Sequence, residues 1–148
     1  MQGTWSGRGY RTGHPLDGLL EACHWHGKRI DGPEAVHPLL FRTAGGRVIA
    51  VRPLGALPAI ALVQRLPALK SPAVGRLVQA CLPLLQTQQS IARLRMTAHR
   101  GVCTATLVYD RLPILDVLRR ADDATALGLM DLKGMAQPLF FVLRREHA

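Results

Sequence analysis

The chain has 148 residues, of which 48% are hydrophobic and 20% charged, and its formal net charge at pH 7 is +9. This length supports one domain with a real core, and this composition excludes general disorder. All ten acidic residues lie outside residues 35–109, which we call the acid-free span. Nine basic residues lie within it: Arg42, Arg47, Arg52, Arg65, Lys70, Arg76, Arg93, Arg95 and Arg100. Such asymmetry concerns partners and solubility rather than fold.

The cysteines and the hydropathy pattern indicate in which cellular compartment the protein is expected. Cys23, Cys81 and Cys103 are odd in number and have no CxxC spacing, which argues against a disulfide framework. The N-terminus lacks the apolar run of a secretory signal, and the most apolar stretch, 54–69, is too short to span a bilayer. We therefore expect a cytoplasmic protein with no membrane partner.

Residues 1–17 are rich in Gly, Arg and Ser and show no apolar period, which predicts a flexible N-terminal arm. The folded domain is then predicted to comprise residues 18–148. Within it, residues 19–30 resemble a strand, and residues 31–33 a turn. Residues 36–43 and 47–52 are typical of two strands joined at Gly45 and Gly46, because glycine tolerates the positive φ of tight hairpin turns.

A helix is predicted after Ser71, which can cap it, with Pro72 at the first position, where a missing N–H costs little. Its apolar side chains recur at the spacing of one buried helix face. They are Val74, Leu77, Val78, Cys81, Leu82 and Leu85. A shorter helix is predicted over residues 57–66.

Residues 91–109 predict the clearest hairpin, with a two-residue turn at Arg100 and Gly101. In that register Leu94 faces Leu107 on an apolar face, whereas Arg95 faces Thr106 on the other. A short helix over 113–121 and two strands, over 125–132 and 139–144, complete the chain. The predicted fold is therefore a single α+β domain, a mostly antiparallel sheet of hairpins with two to three helices on one face.

Two histidines are the best metal candidates. His24 and His26 are two residues apart, a spacing that on a strand projects both imidazoles to one face. Nothing in the spacing fixes a third ligand, and no other cofactor is predicted. The sequence also lacks a nucleophile elbow, a phosphate-binding loop and a dinucleotide fingerprint. The question of catalysis stays open, and the pattern favours a protein that is not an enzyme.

The acid-free span favours a nucleic acid as the partner, bound through its phosphates. No aromatic residue lies among the arginines, so backbone contact is favoured over base stacking. The predicted binding residues are Arg93, Arg95, His99, Arg100, Thr104, Arg42, Arg47 and Arg52. Two alternatives remain: an adaptor subunit that binds an acidic protein, and a metal-dependent enzyme built on His24 and His26. A mean hydropathy of +0.10 also suggests a homo-oligomer or a subunit of a complex.

Overall fold

The computed structural model describes residues 1–146, apart from the side chain of Pro67, so the last two residues of the predicted domain 18–148 lie outside it. Within this part of the chain, nine strands dominate and the helices are short. The strands are β1 Gly3–Gly9, β2 Trp25–Gly32, β3 Ala35–Arg42, β4 Val48–Ala50, β5 Ala92–His99, β6 Val102–Tyr109, β7 Ile114–Arg120, β8 Thr125–Leu132 and β9 Leu139–Arg145. The helices are α1 Leu19–Ala22, α2 Ala56–Arg65 and α3 Pro72–Cys81, with 3-10 turns at Pro67–Lys70 and Leu82–Leu85.

The strands form one antiparallel sheet that closes on itself. Its order is β2-β1-β9-β8-β7-β6-β5-β3-β4, and β3 also pairs with β2. Eight strands therefore make a ring. Strand β4 lies outside the ring and pairs with β3 on the edge that faces β5. Strand β1 lies between β2 and β9, so the predicted flexible arm over 1–17 instead supplies a central strand.

The ring has one weak joint, which we call the seam. Strands β3 and β5 share the single residue pair Val36–Ala92. Past Val36, β3 pairs with β4 instead, and the chain between β4 and β5 forms α2 and α3. Every other joint of the ring has at least three paired residues. The seam is therefore the joint of the ring with the fewest main-chain contacts.

The core fills the ring. Trp5, Ile30, Leu107, Leu118 and Leu143 are fully buried there. Helix α2 packs through Val63 on Leu16 and Leu139, whereas α3 packs through Val78 on the cluster of Ile49, Val51 and Leu82. The helices thus cover parts of the sheet, and Leu20 of α1 and Leu57 and Ile60 of α2 also pack against the main core. None of the helices in residues 1–146 is long and apolar enough to cross a membrane.

The prediction of an α+β fold is wrong, because nine strands dominate and the helices are few and short. Residues 113–121, predicted as a helix, contain strand β7. Ile114, Asp116 and Leu118 lie on one buried face of this strand, but Val117 on the other face is buried as well, and the charge of Asp116 further hides the two-residue period in the sequence. Residues 19–30, predicted as a strand, begin with α1, and β2 starts only at Trp25.

Several individual elements are confirmed. All the pairs predicted for the hairpin of β5 and β6 are present, from Arg93–Val108 to His99–Val102. Helix α3 begins after Ser71, whose hydroxyl accepts a hydrogen bond from the Val74 amide. The hairpin of β3 and β4 and the pairing of β8 with β9 are also present. The apolar stripe of α3 differs from the prediction, since Leu77 is 65% exposed.

Candidate functional site: a buried charge cluster beside an arginine pocket

Three polar side chains meet inside the ring, and we call them the Lys28 cluster: Lys28, Tyr109 and Asp116. Lys28 Nζ lies 2.6 Å from Asp116 Oδ2, and the Tyr109 hydroxyl donates to the same oxygen over 3.0 Å. Lys28 Nζ also donates to the carbonyl oxygen of Pro38 over 3.3 Å. The three side chains belong to strands β2, β6 and β7, so the closure of the sheet brings them together.

The surroundings of the cluster are apolar and aromatic. Lys28 Nζ lies 4.8 Å from the ring centroid of Phe141 and 5.3 Å from that of Trp25. Lys28 is 2% exposed and Asp116 is 1% exposed. Removing two charges from water is costly, and an ion pair at this depth contributes less to stability than apolar packing of equal volume. A buried polar cluster of this kind is therefore a candidate functional site.

Tyr109 keeps its proton over the physiological range. Burial raises its pKa well above the usual value, and the negative charge of Asp116 raises it further, as does the hydrogen bond between them. The hydroxyl is thus a permanent donor to Asp116. This bond fixes the orientation of the tyrosine ring.

Tyr109 also lines a surface pocket of about 500 Å³ next to the seam, which we call the arginine pocket. Its polar lining consists of Arg52, Gln89, Ser90, Asp110 and Arg111, and its apolar lining of Pro53, Leu54, Ile91 and Leu112. Arg52 donates to Gln89 Oε1 over 3.4 Å. The carboxylate of Asp110 is paired with Arg93 Nε at 3.2 Å. The pocket therefore carries two guanidinium groups and one carboxylate that already has a partner.

Two of the arginines predicted to bind nucleic acid form ion pairs with acidic residues in the folded chain. Arg93 pairs with Asp110, and Arg95 lies 2.5 Å from the carboxylate of Glu34. Both acids lie just outside the acid-free span. Arg95 also donates to the carbonyl oxygens of Leu94 and Pro33. An absence of acids along the sequence is therefore not an absence of acids in space.

The other predicted binding residues lie in separate places. From the pair Val36–Ala92, β3 runs toward Arg42 and the antiparallel β5 runs the opposite way toward Arg95, so these two arginines are about 30 Å apart along the strands. Arg47 is in the β3–β4 connection with Arg42, and Arg52 lines the arginine pocket. At the far end of β5, His99 is the last residue of the strand and Arg100 lies in the turn, with a φ of 50°. Thr104 is buried, and its hydroxyl donates to the Leu118 carbonyl.

The two histidines predicted to bind a metal have different surroundings. His24 is exposed in the connection before β2, with a φ of 57°. His26 lies on β2, where its Nε2 is 2.9 Å from Glu146 Oε1 and its Nδ1 is 3.1 Å from Arg42. Among the residues that the structure describes, no three metal-ligating side chains come together.

His37 predicts a pH dependence of stability. The imidazole is buried, and its pKa is lowered mainly by burial and further by Arg29, against an opposing effect of Asp31. As the pH falls through the pKa of histidine in the unfolded chain, about 6.5, the unfolded chain is protonated first. Stability contributed by neutral His37 is complete above that pH and is lost below it.

We expect the free energy of unfolding to fall as the pH decreases from about 7.5 to about 5.5, a range that brackets the pKa of histidine. Urea unfolding of the wild type and of His37→Gln measures this, and the variant is expected to show a flatter dependence. His24→Gln, which changes an exposed histidine, serves as the control. Equal slopes for all three proteins would contradict the assignment to His37.

The sequence did not reveal the Lys28 cluster. One signal was present: Asp116 interrupts the apolar run from Ile114 to Leu118, and an acid at such a position is buried if the run is a strand. Lys28 gave no comparable signal, because its neighbours Gly27 and Arg29 resemble an exposed strand. Tyr109 was predicted only as the end of a hairpin.

The N-terminal strand carries a repeated glycine pattern, Gly3-Thr4-Trp5-Ser6-Gly7. Trp5 is 1% exposed, and its indole Nε1 donates to the Met1 carbonyl over 2.9 Å. Gly7 faces the ring of Trp25, where a Cβ atom would lie only 2.3 Å from the ring carbons. The pattern thus lets two tryptophans pack into the same end of the core, and Trp25 in turn contacts Lys28.

Comparison with known protein families finds two matches, in separate parts of the chain. Residues 1–46 match the family model described as "GXWXG protein", and residues 90–145 match that described as "Domain of unknown function (DUF4334)". The first pattern is the one just described in β1. No curated protein matches the chain. The fold and the two matches define a closed antiparallel sheet made from a GXWXG part and a DUF4334 part.

A crystal structure of a protein from Thermomonospora curvata is similar along nearly the whole chain. The sequences are 33% identical, the TM-score is 0.70, and the similarity covers 99% of this chain and 76% of the other. The chain therefore belongs to the same family as this protein. The Lys28 cluster joins the two matched parts, because Lys28 lies in the first and both Tyr109 and Asp116 lie in the second.

Proposed function

We propose that the protein binds a small organic anion in the arginine pocket. The observation that carries the proposal is the position of Arg52 and Arg111 on a cavity of about 500 Å³, a volume within the usual range of small-molecule sites. The carboxylate in the same lining, Asp110, is already paired with Arg93. An incoming carboxylate or phosphate would therefore find uncompensated positive charge.

The apolar lining defines the rest of the ligand. Leu54, Ile91 and Leu112 lie beside the two guanidinium groups, so the complementary molecule has an anionic head and an apolar body. Arginine binds planar carboxylates through two parallel hydrogen bonds, which fixes the head. The ring of Tyr109, held by Asp116, gives the pocket one rigid wall.

Calorimetric titration with a panel of alkyl carboxylates and aryl phosphates tests this proposal, with uncharged amides of the same shape as controls. We expect saturable binding of the anions, weaker by about tenfold or more in Arg52→Gln and in Arg111→Gln, as for the loss of a hydrogen bond to a charged group. Arg100→Gln, at an exposed turn, is the matched control and is expected to bind as the wild type does. Equal binding of anions and amides would overturn the proposal.

A second proposal retains nucleic acid as the partner and moves its site to the tip of the hairpin of β5 and β6. Arg119 donates to the carbonyl oxygen of His99 over 3.0 Å, which brings it beside the exposed Arg100. These residues could contact phosphates, and a cytoplasmic location, proposed from the three free cysteines, would give access to RNA and DNA.

Binding of labelled duplex DNA and RNA across a salt series tests this second proposal. We expect a salt slope that flattens in Arg100→Glu/Arg119→Glu, with Arg8→Glu/Arg144→Glu as the matched control elsewhere on the surface. Binding of an acidic protein, with no binding of nucleic acid, would support the adaptor alternative instead.

A further inference from the structure

The two longer helices expose apolar residues where a helix in contact with water is normally polar. On α2, Leu62 is 49% exposed, and Leu66 at its C-terminal end is 52% exposed. On and after α3, Leu77 is 65% exposed and Leu84 is 86% exposed. The remaining exposed positions of the two helices are mostly Ala and Pro. Several exposed leucines on two consecutive helices make these helices a candidate site of interaction.

These apolar faces are free because the opposite faces already pack on the sheet. Val63 of α2 joins Leu16 and Leu139, and Val78 of α3 joins the cluster around Leu82. Gly75 fixes the approach of α3, since a Cβ atom there would lie 2.5 Å from the Ala22 carbonyl oxygen. Rotation of α3 to bury Leu77 would break this contact. The leucines on these faces therefore stay exposed in the folded chain.

The charges of the segment favour an anionic partner. Arg65 and Arg76 are the exposed charged residues of the two helices, and no Asp or Glu occurs anywhere in the acid-free span. Two copies related by a two-fold axis would set these arginines against each other without a carboxylate to pair them. A nucleic acid would satisfy the arginines but leave the leucines in water.

We propose that α2 and α3 lie on an anionic lipid surface, with the leucines in the acyl boundary and Arg65 and Arg76 at the headgroup phosphates. Amphipathic helices with leucine on one face and arginine at its border bind membranes in this way. The proposal departs from the expectation of no membrane partner in one respect, since a helix that lies on a bilayer need not cross it. Leu54, beside the start of α2, also lines the arginine pocket, so the pocket opens next to the lipid surface.

Flotation with lipid vesicles tests the proposal, with phosphatidylcholine alone compared with a mixture of phosphatidylcholine and phosphatidylglycerol. We expect binding to the mixed vesicles that decreases with added salt. Leu62→Ser/Leu77→Ser is expected to reduce the bound fraction about tenfold or more, from the apolar area that no longer enters the lipid. Met96→Ser, at a site on β5 that is 66% exposed, is the matched apolar control and should bind as the wild type does.

The charge contribution is tested with Arg65→Gln/Arg76→Gln, against Arg8→Gln/Arg100→Gln, which removes the same charge from other exposed positions. We expect the first pair to weaken binding more than the second. Circular dichroism of each variant checks that the fold is kept. Absence of flotation with mixed vesicles would overturn the proposal, and so would a dimer in size-exclusion chromatography that dissociates in Leu62→Ser/Leu77→Ser.

Discussion

Replacement of Asp116 by alanine is expected to reduce the free energy of unfolding by about 3–5 kcal/mol, the usual cost of leaving a buried charge without its partner. Lys28 Nζ would keep only the Pro38 carbonyl as an acceptor, at 3.3 Å, inside an aromatic surrounding. The Tyr109 hydroxyl would also lose its acceptor. Urea unfolding at neutral pH measures the change.

The double variant Lys28→Met/Asp116→Leu separates the contribution of the ion pair to the free energy of unfolding from that of side-chain packing. Because no charge is left without a partner, we expect the double variant to be more stable than Asp116→Ala, although the Tyr109 hydroxyl lacks its acceptor in both. Asp131→Ala, at an exposed position of β8, controls for the loss of one carboxylate and should be nearly neutral. A double variant as unstable as Asp116→Ala would show that the cluster itself stabilises the fold. If the double variant is stable but no longer binds an organic anion in the arginine pocket, the Lys28 cluster has a functional role.

Gly27→Ala is expected to destabilise the protein by more than about 3 kcal/mol, in the range of substitutions that strain a special backbone conformation in the core. The φ of Gly27 is +144°, and an added Cβ atom would lie 1.9 Å from the backbone carbonyl oxygen of Trp5. Strand β2 shifts its register with β3 around Gly27, so the chain has little freedom to relax there.

Thermal and urea unfolding of Gly27→Ala measure the effect, and Gly32→Ala at the other end of β2 provides the control. A Cβ atom at Gly32 meets nothing within 4 Å, and its φ is not in the left-handed region. We expect the control to be within about 1 kcal/mol of the wild type, as for a substitution without strain or steric clash. Similar losses for the two variants would mean that the contact with Trp5 relaxes easily.

The sequence predicted the local elements far better than their assembly. The hairpin of β5 and β6 was predictable because its two-residue turn fixes the register and its side chains alternate. The start of α3 was predictable from its capping serine and its proline. In both cases the information lies within a few neighbouring residues.

The closure of the sheet and the Lys28 cluster were not predictable in the same way. Strand β1 was missed because one of its glycines, Gly7, is required by Trp25, a residue of a different strand, and not by any local turn. Strand β7 was missed because Asp116 points inward to Lys28, which is 88 residues away. In a sequence, a charged residue that is buried cannot be distinguished from an exposed one unless its partner is known. The partners of Arg93 and Arg95 were unpredictable for the same reason, since Asp110 and Glu34 become their neighbours only in the folded chain.

The position of β1 between β2 and β9 has a consequence for synthesis of the protein. On the ribosome, β1 emerges first and can pair early with β2, but its other edge must wait for Leu139–Arg145. Until then a row of main-chain donors and acceptors is open to other nascent chains, which makes aggregation a hazard. Contacts that close over most of the chain length also slow folding. Mutations in β9 should therefore show first as reduced recovery of newly made protein, before any effect on the finished molecule.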